Sequence, residues 1–183
     1  TDASGNGKTG TLLNFEDLVA ARQGAREGLG VKFDGVNDVA YIDSQTAFGL
    51  SGSFAVTFWA KTSDLDAHLL RSGQFRVEAI DGFVRGRAFI GPALTQGSWT
   101  STDWTPFALD EWYHYTLSYD GTKLRLFLNA EEATTAVPTT GILDWEGADN
   151  TLYIGGMPSQ SPMTDGVFDD FRVFNRALTI EEL

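Results

Sequence analysis

Arg71, Arg76, Arg85 and Arg87 sit within one short stretch of a chain that carries only 13 Lys and Arg against 25 Asp and Glu. A guanidinium group offers planar, bidentate hydrogen bonds that match carboxylates and sulfates. Trp99 and Trp104 follow in a loop-like segment rich in Gly, Ser and Thr. Indole rings pack well on the C–H faces of sugars while keeping a polar edge. As a set, these residues have the chemistry of a surface for an acidic or sulfated polysaccharide. The competing reading is that the arginines pair with Glu78, Asp81 and other acids on a solvated sheet, while the tryptophans plug the core.

A second chemical feature lies at the end of the chain, where Asp169 and Asp170 interrupt the apolar run Val167, Phe168, Phe171, Val173 and Phe174. A strand sends neighbouring side chains to opposite faces, so the two carboxylates diverge and cannot work as an acid pair. Asp170 shares a face with Arg172 and can pair with it. Asp169 is then left to find a cation, because a lone charge at the packed side or rim of a sheet is costly.

Nothing else supplies a hydrolytic pair. Retaining glycoside hydrolysis needs two carboxyl groups about 5–5.5 Å apart, which alternate positions on one strand provide. Glu131-Glu132 and Glu181-Glu182 are adjacent and diverge, and the string DWEGAD from Asp144 to Asp149 reads as a loop. His114, in EWYHY, reads as a histidine satisfied within a sheet. With no cysteine there is no thiol nucleophile, and no serine sits in a nucleophile-elbow pattern. The domain itself is expected not to be an enzyme.

The elements that must position these residues read as strands: Gly30 to Phe33, Val39 to Ile42, Phe54 to Lys61, His68 to Arg71 and Phe75 to Ile80. Phe83 to Ile90, Trp112 to Tyr119, Leu124 to Leu128, Thr151 to Ile154 and Val167 to Phe174 follow. Asp34-Gly35, Asp81-Gly82 and Asp120-Gly121 are turn signals between them. Arg76 and Glu78 share one strand face, as do Arg85, Arg87 and Phe89, with Gly86, Ala88 and Ile90 opposite. Phe54, Val56 and Phe58 read as core, together with Tyr113, Tyr115, Leu117 and Tyr119 and with Leu124, Leu126 and Leu128. Trp59, Trp112 and Phe127 take the alternate faces, where they either cover a second layer or floor a groove. Phe15 to Ala25 has room for a turn or two of helix. Thr179, Glu182 and the pair Leu178/Leu183 spell a capping box with its hydrophobic staple at a closing helix start. The pattern predicts an all-β, antiparallel two-sheet sandwich.

A length of 183 residues suits one domain with a substantial core. The net charge of −12 argues against nucleic acid or an anionic membrane surface as the main partner. It fits an extracellular, cell-surface or periplasmic protein, or one that holds divalent cations. No apolar run approaches the roughly 20 residues of a membrane span, and no signal peptide is seen. The abrupt opening on TDASGNG makes the chain look excised from something longer, with neighbouring domains as partners.

The segments DASGNGKTGTL, VKFDGVNDVAYI, SFAVTFWAKT, EWYHYTLSYDGTKLRLFLN, TLYIGG and DDFRVFNRALTIEEL occur in the order seen in LamG-like jelly rolls. The chain resembles these pentraxin-related modules of the concanavalin A-like lectin/glucanase superfamily over nearly its whole length. The resemblance implies a jelly-roll sandwich, and is weaker for function because the superfamily hosts lectins, hydrolases and lyases. Two departures stand out: Asn129-Ala130 replaces the usual Asp-Gly, and the loop from Pro92 to Pro106 matches nothing in the pattern.

Modules of this kind commonly carry a structural calcium ion where the first strand meets the last. That resemblance points to Asp2 and Asp169 as ligands, with Asn6 and Asp34 next, and hard oxygen donors of this sort suit calcium rather than zinc. The alternative is that DASGNG is a turn closed by its own Asx hydrogen bonds. The reading carried forward is a non-catalytic carbohydrate-binding module of a larger secreted protein. A structural or protein-interaction module of a cell-surface protein is the alternative, and a diverged glycoside hydrolase or polysaccharide lyase the more distant one.

Overall fold

The computed structural model describes residues 2–26, 28–43, 50–92, 97–144, 151–158 and 160–183. Its strands begin with β1 (Thr11–Leu13), β2 (Arg22–Gly24), β3 (Leu29–Asp34), β4 (Val39–Ile42), β5 (Phe54–Thr62) and β6 (Ala67–Arg71). The middle of the chain forms β7 (Phe75–Ile80), β8 (Phe83–Gly91), β9 (Ser98–Ser101), β10 (Thr105–Pro106), β11 (Tyr113–Tyr119) and β12 (Lys123–Leu128). Short β13 (Glu131–Glu132), β14 (Val137–Pro138), β15 (Ile142–Leu143) and β16 (Leu152–Ile154) lead to the long β17 (Asp165–Phe174) and a 3₁₀ turn, η1 (Ile180–Glu182).

These strands form two antiparallel sheets. The first runs β1-β4-β16-β6-β7-β8, with β9 and β10 on the far edge of β8 and β15 pairing β8 beyond the end of β7. The second runs β13-β12-β11-β5-β17-β3-β2, with β14 also on β12. Each of the ten expected strands is present, within a residue or two of its expected ends. The architecture is the two-sheet antiparallel sandwich that the alternation implied, and the jelly roll that the resemblance implied.

Alternation decides what lies between the sheets. Phe54, Val56 and Phe58 of β5, Tyr115, Leu117 and Tyr119 of β11, and Leu124 and Leu126 of β12 are buried from one side. Phe75 and Val77 of β7 and Ala88 and Ile90 of β8 meet them from the other. Phe54 stacks on Phe75 across the interface at 5.1 Å, and Phe58 stacks on Tyr115 within its own sheet at 5.2 Å. Burying each such ring contributes about 1.5–3 kcal/mol. Gly86 is needed for the close approach, since a Cβ there would lie 2.3 Å from Leu117 Cδ1.

Three local departures from the sequence reading have clear causes. The stretch from Pro92 to Pro106 is not a plain loop: β9 and β10 extend the first sheet, with Phe89 opposite Trp99 and Arg87 opposite Ser101; residues 93–96 lie outside the described residues. Phe15 to Ala25 forms turns and β2 rather than helix, and β2 pairs with β3. A short edge strand made of Arg22, Gln23 and Gly24 has no alternating apolar signal to announce it. The third departure is a β-bulge between Asp169 and Arg172, with Asp170 in the left-handed region at φ 49°. Strict alternation from Phe168 would aim Asp170 at the core. The extra residue instead lets Phe168 and Phe171 both reach Phe58, at 6.0 and 6.4 Å.

The closing capping box is present, with Thr179 N–H donating to Glu182 at 3.0 Å and Arg176 paired with the same carboxylate at 2.7 Å. It caps a 3₁₀ turn.

The Asn129-Ala130 departure also has a structural consequence. Leu128 pairs with Glu131, so these two residues are the whole turn between β12 and β13, with φ of 53° and 66°. An L-residue without a local polar side chain is strained there. Ala130→Gly is expected to raise stability by about 0.5–1 kcal/mol, measured as a higher urea midpoint at unchanged m-value.

Candidate functional site

The antiparallel pairings of the first sheet set one row of side chains on its outer face. Tyr41 of β4 faces Tyr153 of β16, Tyr153 faces Arg71 of β6, Arg71 faces Arg76 of β7, and Arg76 faces Arg87 of β8. Four of these strands, from β16 to β8, carry the row about 14 Å across the sheet at ordinary strand spacing. A neighbouring row holds His68, Glu78 and Arg85. The bulge between His68 and Leu70 lets His68 share the face of Arg71 although they are three residues apart.

The tryptophans lie against the arginines. The guanidinium carbon of Arg76 sits 4.0 Å from the ring centre of Trp99, and that of Arg87 sits 4.9 Å from the same ring. Arg85 sits 4.2 Å from the ring of Trp104. Cation–π contact of this kind holds each guanidinium flat while leaving its N–H edge to an acceptor. Trp99 in turn packs edge-on against Phe89 at 5.4 Å, so it is a half-buried platform. Trp104 remains 38% exposed. Neither tryptophan plugs the core.

Among the described residues, Glu78 is the carboxylate that Arg85 and Arg87 share. Glu78 accepts from Arg85 Nε at 2.9 Å and from Arg87 Nη1 at 3.5 Å. Burial, followed by the charge of Arg71, lowers the pKa of His68 and favours its neutral form. Arg71, Arg76, Arg85 and Arg87 thus gather around Glu78 on one face of a chain of net charge −12. A pocket of about 180 Å³ opens beside Arg71 and Arg76, walled by Tyr153, Thr151 and Met157. The Nε of Arg87 and the Nδ1 of His68 are buried and make no hydrogen bond among the described residues.

All six residues singled out for glycan contact thus meet on one face: Arg71, Arg76, Arg85, Arg87, Trp99 and Trp104. Tyr41 and Tyr153 join them and were missed. Tyr153 alternates with the buried Leu152 and Ile154, which was the one available signal that it points outward.

The expected metal ligands are less united. Asp2 Oδ1 accepts from the Ser4 N–H and hydroxyl at 2.8 and 2.7 Å, and Oδ2 accepts from Lys8 N–H at 2.9 Å. The Ser4 hydroxyl, then the Lys8 N–H, hold the Asp2 carboxyl down to about 2. Asp2, Ser4 and Asn6 line a pocket of about 500 Å³ with Asp170, whereas Asp169 faces a different pocket beside Leu29 and Phe33. Asp170 pairs with Arg172 at 2.8 Å, as the sequence suggested.

Asp34 stands opposite Asp165, four positions before Asp169, or about 13 Å along the strand. Its Oδ1 accepts from Val36 and Asn37 N–H at 2.8 and 3.2 Å, closing the turn into β4. Calcium ligands lie within 2.3–2.6 Å of one ion, so Asp34 and Asp169 cannot share it. Among the described residues no three His, Asp or Glu side chains come together as a metal cluster. The oxygen chemistry of the opening loop suits calcium, but the four expected ligands do not form one coordination sphere.

The family model of the concanavalin A-like lectin/glucanases superfamily, Laminin_G_3, matches residues 34–183, and the chain belongs to this family. No curated protein sequence matches it significantly. Among solved structures, domain 4 of AbnA, an extracellular arabinanase from Geobacillus stearothermophilus solved with arabinotriose, is similar at TM-score 0.74 and 18% identity, over 99% of this chain and 89% of that one. The binding domain of botulinum neurotoxin DC in complex with SialylT follows at TM-score 0.71 and 11% identity. This chain is covered over 99% in that match but spans only 46% of the toxin domain. A Trypanosoma rangeli sialidase is similar at TM-score 0.60 and 18% identity, over 86% of this chain and 27% of that one. At these identities the likeness establishes the fold. No helix among the described residues is long and apolar enough to cross a membrane.

Glu78 has a side-chain exposure of only 10%, so its removal leaves Arg85 and Arg87 repelling each other at a partly buried site. Glu78→Gln is expected to lower stability by about 1–2 kcal/mol, solvent screening included, read from urea denaturation followed by tryptophan fluorescence.

Proposed function

We propose that this chain is a non-catalytic carbohydrate-binding module and that the arginine face of its first sheet takes an acidic or sulfated polysaccharide. The observation that carries the reading is the row Arg71, Arg76 and Arg87 in register across three strands, with two of its guanidiniums stacked on Trp99. Such a row matches a repeating anionic polymer better than a single small anion, because each guanidinium meets a separate group along an extended chain. The glycan complexes of similarly folded proteins support the same reading by analogy. The protein-interaction alternative called for tryptophans buried in the fold, and the exposure of Trp104 does not favour it. The module is proposed to act within a longer extracellular protein.

Arg71→Ala and Arg76→Ala are each expected to weaken retention on a sulfated or uronic-acid polysaccharide at least tenfold, with little change in melting temperature. Raising salt from about 50 to about 500 mM should weaken it comparably, since partly exposed charges are screened. Affinity electrophoresis on acidic and neutral glycans checks this, and no retention on any acidic glycan would sink the reading.

Calcium in the pocket between the opening loop and Asp170 belongs to the same proposal. Asp2, Ser4 and Asn6 are the residues that would hold it, with Asp170 facing them in place of Asp169. A bound ion would supply charge neutralisation there and tie the first segment to the last strand. Added calcium is expected to raise the melting temperature and EDTA to reverse the rise; identical melting curves count against the site.

A further inference from the structure

The outer face of the second sheet carries a groove that the arginine face does not account for. It encloses about 450 Å³ and is bounded by Arg26, Trp59, Glu111, Trp112, His114 and Asn129, a size typical of small-ligand clefts. Trp59 and His114 are partners across β5 and β11, with ring centres 5.0 Å apart. They project away from the core because their neighbours Phe58 and Tyr115 fill it.

Among the described residues, the polar groups around this groove have little else to bind. Asn129 Oδ1 accepts the His114 backbone N–H at 2.9 Å, which fixes the amide. Among the described residues, no hydrogen bond engages Asn129 Nδ2, the His114 imidazole, the Glu111 carboxylate or the Arg26 guanidinium. Arg26 lies 5.0 Å from the ring centre of Trp59, so that indole is already covered by a cation and an imidazole. Among the described residues, Trp112 meets the Lys61 amine, 5.8 Å from its ring centre, and is the less encumbered aromatic wall.

The charge of the groove is close to balanced. Arg26 offsets Glu111, the Lys61 amine at the Trp112 ring adds one positive charge at the edge, and burial lowers the pKa of His114, favouring the uncharged imidazole. Asp170 and Arg172, the charged groups that act on that imidazole, are paired with each other at 2.8 Å. An anionic polymer gains little here. A ring with one apolar face and several hydroxyl groups can stack on an indole while donating to a carboxylate and accepting from an amide and a guanidinium.

We infer that this groove is a second saccharide site, selective for a neutral sugar, with Trp112 as the stacking wall and Glu111, Asn129 and Arg26 as hydroxyl partners. It stands on the sheet opposite the arginine face and does not depend on that face binding anything. The two sites would engage separate glycan chains, since the packed core lies between them.

The 183-residue chain, titrated with neutral trisaccharides of arabinose, xylose, glucose, mannose and galactose, tests this by NMR of its five tryptophan indole N–H signals. Single Trp→Phe variants assign those signals. At least one trisaccharide is expected to move the Trp59 and Trp112 signals while Trp99 and Trp104 stay fixed. Glu111→Ala and Trp112→Ala should each weaken that binding at least tenfold, and Arg71→Ala should leave it unchanged. Glu111 is exposed, so its variant reports on binding even where Trp112→Ala unfolds. The inference is overturned if no neutral trisaccharide moves Trp59 and Trp112, or if Arg71→Ala abolishes the effect while Glu111→Ala does not. Retention on acidic glycans has no bearing on either result.

Discussion

The packing of Phe54, Val56, Phe58 and Leu117 in one sheet against Phe75, Val77, Gly86 and Ala88 in the other is the constraint from which the remaining surface follows. Once alternate residues of β5, β7, β8 and β11 are committed inward, their neighbours have no choice but to face out. Arg76, Arg85 and Arg87 are outward because Val77, Gly86 and Ala88 are inward. Trp59 and His114 are outward on the opposite side for the same reason. A one-residue slip in any of these strands would exchange guanidiniums for core atoms, so the register of the sandwich and the chemistry of its faces are one property.

Within that frame the outer faces differ in charge, because each strand brings a different partner. On the first sheet a single glutamate serves two arginines, and Trp99 lies beneath two guanidiniums. A tryptophan so used is less a sugar platform than a support that fixes where the long side chains of Arg76 and Arg87 lie. On the second sheet Arg26 faces Glu111 and Lys61 borders Trp112, beside an imidazole whose pKa is lowered by burial. The arrangement at the chain ends follows a third rule. The bulge in β17 turns Asp170 out of the core and into the pocket of the opening loop, where Arg172 meets it.

Much of this was legible because strand alternation is a local signal. The division between Arg85, Arg87 and Phe89 on one face and Gly86, Ala88 and Ile90 on the other needs only nine consecutive residues of β8. The pairing of Asp170 with Arg172 was also anticipated, although the backbone reaches it through a bulge rather than through plain alternation. Less legible was anything that needed a partner strand. Ser98, Trp99, Thr100 and Ser101 carry no strand pattern of their own; they are a strand because β8 offers a free edge. Tyr41 and Tyr153 joined the arginine row only through pairings that link distant parts of the chain.

The amino-acid order by itself determined the ten principal strands, most of their buried residues and the shared face of Arg85 and Arg87, since period-two alternation and turn chemistry act over a few residues. Tertiary structure alone decided which of those residues meet. It set Arg71 beside Arg76, laid both Arg76 and Arg87 on Trp99, separated Asp34 from Asp169, and gathered Trp59, Trp112 and Asn129 around one groove. The reason is physical: strand pairing and sheet stacking bring together groups far apart in the chain, and no local pattern records that long-range register.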